Sequence, residues 1–335
     1  MYKNIKYFNC GVVQNMEKHE GSKKMIEKVY ILGLGAVGSV YASMLFEMDP
    51  DCVEIIASKE RIERYKKSGV TVNGKLYPFN YNQPVQTAFP ETSQRPADLI
   101  IIAVKQHHLR QAINDIRGFV GEDTIILSLL NGITSEEIIG QEYGMDKLLY
   151  SFCVGTDAVR EGRNTEYTKT GKIVFGENTN TEYSGKVKMV KEFFDKAQIP
   201  YEIPENMIRQ LWWKFMMNVG INQVSAVLKA PYGVFRKVGE ARALMEMACR
   251  EVVNLSAYTG INLNDDDIKT SIEIIDTLSA EGKTSMLQDV EAGRKTEVEL
   301  FAGTVIELGR KYGIATPVND VLFKMICSLE KMYNL

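Results

Sequence analysis

With 335 residues, 45% hydrophobic and 25% charged, the chain has the composition of a soluble globular protein long enough for two domains and a large buried core. Forty basic residues face 43 acidic ones with no long run of either sign, so no electrostatic footprint for nucleic acid or an anionic membrane is present. No apolar stretch has bilayer-spanning character, and five scattered cysteines (Cys10, Cys52, Cys153, Cys249, Cys327) without a C-x-x-C pair argue against a disulfide framework and a zinc knot; a reducing cytoplasm is the expected compartment and no metal is expected.

Residues 1–24 are polar and mixed in charge and lack the apolar core of a signal peptide, so they are expected to be an extension, with Met25 a candidate functional start. The strand Val29-Tyr30-Ile31-Leu32 then runs into Gly33-Leu34-Gly35-Ala36-Val37-Gly38 and a segment whose apolar residues (Val37, Val40, Tyr41, Met44, Leu45) recur at helical spacing. Strand, glycine turn and helix in that order are the context that a G-x-G-x-x-G dinucleotide site requires. The glycines permit the sharp turn and close backbone approach to a pyrophosphate, and the helix dipole faces the phosphates. The second strand, Val53 to Ala57, ends where a ribose-reading residue belongs. Its tip reads Ser58-Lys59-Glu60-Arg61, with no acidic residue at once after the strand to bind both ribose hydroxyls. Lys59 and Arg61 suit the 2′-phosphate of NADP; the alternative is that they form the solvated first turn of a helix.

Asn73-Gly74 between β-rich residues predicts a hairpin that decorates the domain. Leu99 to Val104 and Ile125 to Leu130 are continuous apolar runs of the kind buried on both faces of a parallel sheet, and Leu148 to Val154 continues the pattern. They place Lys105 and Asn131 at the carboxyl edge, where they are expected to face the same cleft as the glycine loop; the alternative for each is a loop polar residue making local bonds. Thr134 with Glu137 reads as a capping box, and His107 and His108 as surface residues at a helix start. Closing strands around a helix over 182–196 complete an α/β domain spanning 25–204. Beyond it helical patterns take over, at about 205–228, 236–259, 265–281, 285–312 and 317–333, with Gly260 and Gly313 as stops, giving an all-helical domain over 205–335.

Within the first of these helices Lys214, Asn218 and Asn222 fall at i, i+4 and i+8 among apolar residues, a polar stripe that either faces water or lines a pocket. A second constellation runs from Ser285 to Glu297. Ser285 with Gln288 reads as a capping box, and Glu297, beside Arg294 and Lys295, as either a site residue or a surface ion pair.

The ordered set GLGAVG, Val104-Lys105, Asn131-Gly132, K-x-x-x-N-x-x-x-N at Lys214, Asn218 and Asn222, S-M-x-Q-D at 285–289 and R-x-T-E at 294–297 closely resembles the ketopantoate reductase family, over essentially everything from Met25 onward. The resemblance implies a Rossmann-type domain joined to a helical domain, with NADPH-dependent reduction of a 2-keto acid between them. It implies Lys214 as the catalytic residue and Glu297 as an active-site carboxylate that would hold Lys214 protonated. It further implies Asn218 and Asn222 as partners of the substrate's oxygens, Ser285 as a carboxylate binder, and Asn131 and Lys105 as bridges between cofactor and substrate, with Glu297 also on the cofactor side. Three positions depart from the family pattern: Gln223 stands where proline is common, Gly282-Lys283 where an asparagine is frequent, and Ser58 where an arginine usually follows the strand. They leave the keto acid open. The alternatives are a related dehydrogenase acting on another hydroxy acid or an opine-like substrate, and a non-catalytic NADP sensor; a homodimer is expected to use the helical domain.

Overall fold

The computed structural model describes residues 25–87, 91 and 94–333. The expected extension, residues 1–24, lies outside them.

An eight-stranded sheet forms the first half of the molecule, in the spatial order Tyr201–Glu202, Thr170–Gly176, Leu148–Thr156, Ile125–Ser128, Leu99–Ile102, Val29–Leu32, Val53–Ile56, Asn80–Asn82. All neighbours are parallel except Thr170–Gly176, which runs antiparallel to Leu148–Thr156. The strands Val29–Leu32, Leu99–Ile102 and Ile125–Ser128 are buried along their whole length, as helices on both faces require. Chain order reverses at Val29–Leu32, which pairs with the second strand on one side and with Leu99–Ile102 on the other; open α/β sheets bind ligands at that switch point.

The expected Asn73-Gly74 hairpin forms, with Asn73 and Gly74 at φ 46° and 76°, the left-handed pair that a tight two-residue turn demands. It joins a second hairpin, Val159–Glu161 with Asn164–Glu166, in a separate four-stranded sheet that the sequence did not foretell.

From Met207 on, the chain is helical: Met207–Leu228, Tyr232–Lys237, Gly239–Tyr258, Asp265–Thr277, Ser285–Glu291, Thr304–Tyr312 and Pro317–Met332. This half has its own core, built around Phe215, Met216, Phe235, Val252 and Phe301. Gly220 lets the first long helix meet Gly239–Tyr258 closely, because a Cβ there would stand 2.4 Å from Cys249 Sγ.

Two expectations about helix boundaries need correction. The helix expected over 285–312 is broken: it stops at Glu291, Gly293 adopts φ 60°, and helical structure resumes in a wide turn at Glu299–Gly303 before Thr304–Tyr312. That expected over 236–259 is preceded by the separate short helix Tyr232–Lys237.

Candidate active site

A cavity of about 750 Å³ opens along the carboxyl ends of the parallel strands. Its floor is the glycine loop, Gly33 to Val37, and the strand ends Ala103-Val104-Lys105 and Leu129-Leu130-Asn131. The three motif glycines do different work. Gly33 sits at φ 103°, and a Cβ there would lie 2.5 Å from the Ala103 carbonyl oxygen; at Gly38 it would lie 1.9 Å from the Gly33 oxygen. Both therefore hold the turn itself. At Gly35 the nearest atom is 3.9 Å away, so that position leaves open space above the loop. Gly35 is also the N-cap of the helix Ala36–Met48, without a side-chain cap and with no acidic residue in the first turn, so its orphan amides are left for an anion. An open glycine, uncapped amides and a cavity of this size fit a dinucleotide.

At the tip of the second strand Ser58 caps the helix Lys59–Ser68 by accepting from Arg61 N. The reading of this tip divides: Arg61 lines the cavity, whereas Lys59 is exposed and lies outside its lining. On the same helical face Arg64, Tyr65 and Ser68 also line it, and so do Arg160, Gly162 and Arg163 of the second hairpin. Reasoning from sequence passed over these residues. The signal available was Arg160-Glu161-Gly162-Arg163, a glycine turn flanked by arginines. His108 stands exposed on the rim as expected, and burial, His107 and Arg61 lower its pKa.

Across the cleft, and outside the cavity lining just named, the polar stripe of the Met207–Leu228 helix is enclosed at its two asparagines and half-buried at Lys214. Asn218 and Asn222 are 4% and 6% exposed. Asn218 Nδ2 donates to Asn131 Oδ1 at 3.1 Å, and Asn131 Nδ2 donates to Glu297 Oε2 at 3.0 Å, a relay that ties the helical domain to a strand end of the sheet. Glu297 also accepts from Gln106 N at 3.4 Å. Burial pushes its carboxyl upward, against those two bonds and the nearby Lys105. The break at Gly293 matters here, since it lets the chain leave the helix and carry Glu297 to the cavity.

Lys214 lies one turn before Asn218. Burial pushes its ammonium down to about 8, opposed by the neighbouring Cys153. Among the described residues no carboxylate pairs with it, so the expected Glu297–Lys214 pairing is not formed; Glu297 is engaged by Asn131 and Gln106 instead. Asn222 likewise has no side-chain partner among the described residues. Lys105 lines the cavity but its Nζ is held by Asp289 Oδ2 at 2.6 Å, the buried aspartate that also binds Arg294.

Both expected capping boxes are corrected. Thr284, not Ser285, caps the helix Ser285–Glu291 by accepting from Leu287 N, and this leaves the Ser285 hydroxyl exposed on the cavity wall. Thr134 has φ −119° and ψ −14°, a helical rather than extended backbone, and its hydroxyl caps nothing.

Glycine loop, switch point, and a facing helix that bears lysine and asparagines define a two-domain oxidoreductase built on a Rossmann-type sheet. The chain belongs to the ketopantoate reductase PanE/ApbA family, whose N-terminal model matches residues 29–180 and whose C-terminal model matches 206–330. A 2-dehydropantoate 2-reductase of Aquifex aeolicus is 27% identical over 318 residues, covering 93% of this chain and 99% of the relative. The enzyme of that name from Pyrococcus horikoshii is 28% identical over 307 residues, covering 91% and 98%. Among solved structures, D-mandelate dehydrogenase with NADH and anilino(oxo)acetate superposes with a TM-score of 0.80 at 24% identity, over 92% of this chain and 99% of that one.

Proposed function

We propose that the protein reduces 2-dehydropantoate to pantoate with NADPH as reductant. The observation that carries this reading is Lys214: a half-buried ammonium, its pKa lowered by burial, with no carboxylate partner among the described residues, one turn from an asparagine that is bonded to Asn131 at the cleft. A buried unpaired cation is costly unless an anionic ligand or transition state meets it. The family relatives named 2-dehydropantoate 2-reductase supply the substrate.

On this reading Lys214 donates its proton to the ketone oxygen and stabilises the negative charge that develops there. The unpartnered amide of Asn222 and the amide of Asn218 bind the substrate's oxygens, and the Ser285 hydroxyl receives its carboxylate. Glu297 fixes Asn131, and through it Asn218, in the orientation the substrate requires. NADPH would lie on the loop Gly33–Gly38 with Arg61, Asn131 and Lys105 along its length, and when bound it supplies the hydride.

A different 2-keto acid is the second reading, favoured by one departure from the family pattern. Lys283, two residues before Ser285, turns away to pair with Glu291, so the asparagine often found hereabouts has no counterpart. Optical measurement of NADPH oxidation with ketopantoate and then with a panel of 2-keto acids tests both. Turnover with ketopantoate above the panel, and faster with NADPH than NADH, is expected. Turnover only with other acids establishes the second reading, and NADPH binding without turnover on any acid overturns both in favour of a sensor.

A further inference from the structure

Arg61, Arg64, Arg160 and Arg163 all line the cavity, whose one acidic lining residue among the described residues, Glu297, is already engaged by Asn131 and Gln106. Among the described residues none of the four guanidinium groups takes part in an ion pair. They come from two elements far apart in sequence. Arg61 and Arg64 share a face of the helix Lys59–Ser68, and Arg160 and Arg163 belong to the hairpin at 159–166. The hairpin is stitched to both helices that border the cavity. Arg160 Nη1 donates to Ser39 Oγ at 2.6 Å, in the helix that starts at the glycine loop, and to Thr165 Oγ1 at 3.4 Å; its Nε donates to the Gly162 oxygen at 3.2 Å. Arg163 Nη1 donates to the Ser68 oxygen at the end of the other helix. Burial depresses the Arg160 pKa, and Arg64 and Arg61 push it the same way, while Tyr65 and Tyr81 oppose them.

Arg160 is half-buried and Arg61, Arg64 and Arg163 are exposed around it, so the four charges together make the cavity electropositive and favour the entry of an anion of matching charge. A pyrophosphate contributes two negative charges and already has the helix amides of the glycine loop to receive it. A phosphate monoester adds about −1.5 to −2 and three strong acceptor oxygens, which brings the total near that of four guanidinium groups. We propose that the hairpin at 159–166 is the second wall of the site for the ribose 2′-phosphate, with Arg160 and Arg163 closing on it from the hairpin and Arg61 and Arg64 from the helix. This rests on the NADPH reading above and adds to it the residues that set the preference.

The test is fluorescence titration of NADPH and of NADH, without keto acid, on the wild-type chain and on Arg160→Met, Arg163→Met and Arg160→Lys, with Lys66→Met as an exposed control outside the cavity. Each of the two methionine variants is expected to weaken NADPH at least about tenfold and NADH less than about threefold, as loss of a charge-assisted bond to one phosphate requires, and Arg160→Lys to recover part of the loss. Unchanged NADPH affinity in both methionine variants, or equal losses for the two cofactors, overturns the assignment. A wild-type chain that binds NADH as tightly as NADPH overturns the NADPH reading itself, which separates the two failures. Thermal melts identify any variant that does not fold. Should Arg160→Met be one, Arg163→Met, altered at an exposed turn, decides the matter.

Discussion

Lys214→Met separates a lysine kept for chemistry from one kept for structure. The ordinary lysine value of 10.5 falls to about 8 through burial. That difference corresponds to roughly 3 kcal/mol of unfavourable free energy for holding the ammonium in the folded protein. Because the folded pKa lies below the unfolded one, the unfolded chain binds more protons between those two values, and stability rises with pH through this window. The cost is therefore complete below about pH 8 and is relieved as pH approaches 10.5. Methionine keeps an unbranched stem of similar length and removes the charge. Denaturant unfolding at pH 7 should show the variant more stable than the wild type by up to about 3 kcal/mol, with the gain shrinking at pH 9.5. In the same variant turnover should fall by about 10²–10⁴, the usual contribution of a positioned general acid, while NADPH affinity changes little. For the wild type kcat/KM should decline above about pH 8. In kcat the decline should move to higher pH, since the substrate's carboxylate favours the ammonium. A variant that is less stable by the same amount at both pH values and keeps turnover within about tenfold would refute the reasoning.

The glycine loop gives a paired test. Gly38→Ala drives a Cβ into the Gly33 carbonyl and should lower both melting temperature and NADPH affinity, whereas Gly35→Ala meets nothing closer than 3.9 Å and should keep its melting temperature while losing affinity. Equal melting losses in the two would contradict the division of roles. Glu297→Ala strips Asn131 and Gln106 N of their acceptor; it should cost about 1–3 kcal/mol in urea unfolding and reduce kcat/KM at least about tenfold, and a loss of stability alone would remove Glu297 from the site. Glu136 is a buried carboxyl whose pKa burial raises to about 7, against its bonds from Ser135 and Ser151 N. Its folded value exceeds the unfolded 4.5, so the folded state binds the extra proton and stability should fall as pH rises from about 4.5 through 7. Glu136→Gln should flatten that slope in thermal melts between pH 5 and 8, and an unchanged slope would assign the proton elsewhere.

What could be read in advance follows from how locally each feature is determined. Apolar runs such as Leu99–Ile102 identify buried parallel strands because every residue in them is buried, and Asn73-Gly74 identifies its hairpin because few other pairs tolerate two left-handed residues. Lys214, Asn218 and Asn222 were visible as a stripe because helical spacing is itself local, and the fold then placed two of them out of solvent. The errors arose where a local signal had two equivalent readings. Thr284 and Ser285 are adjacent hydroxyls, and only the backbone's extended conformation at Thr284 makes it the cap and frees Ser285 for the cavity. The run 285–312 has helical periodicity throughout, but Gly293 breaks it, and that break carries Glu297 to Asn131 instead of leaving it on a surface turn. Least legible was the arginine cluster, because its members meet only after the hairpin at 159–166 pairs with Thr71–Val72 and reaches Ser39 and Ser68, contacts about 90 to 120 residues apart that no periodicity encodes. The same distance explains the asymmetry between cofactor and substrate sites. The phosphate loop is one contiguous turn and announces itself, while the groups that choose among phosphates and among keto acids are assembled from separate segments. Selectivity can therefore change by replacing one hairpin or one helix cap while the glycine loop and the sheet stay as they are.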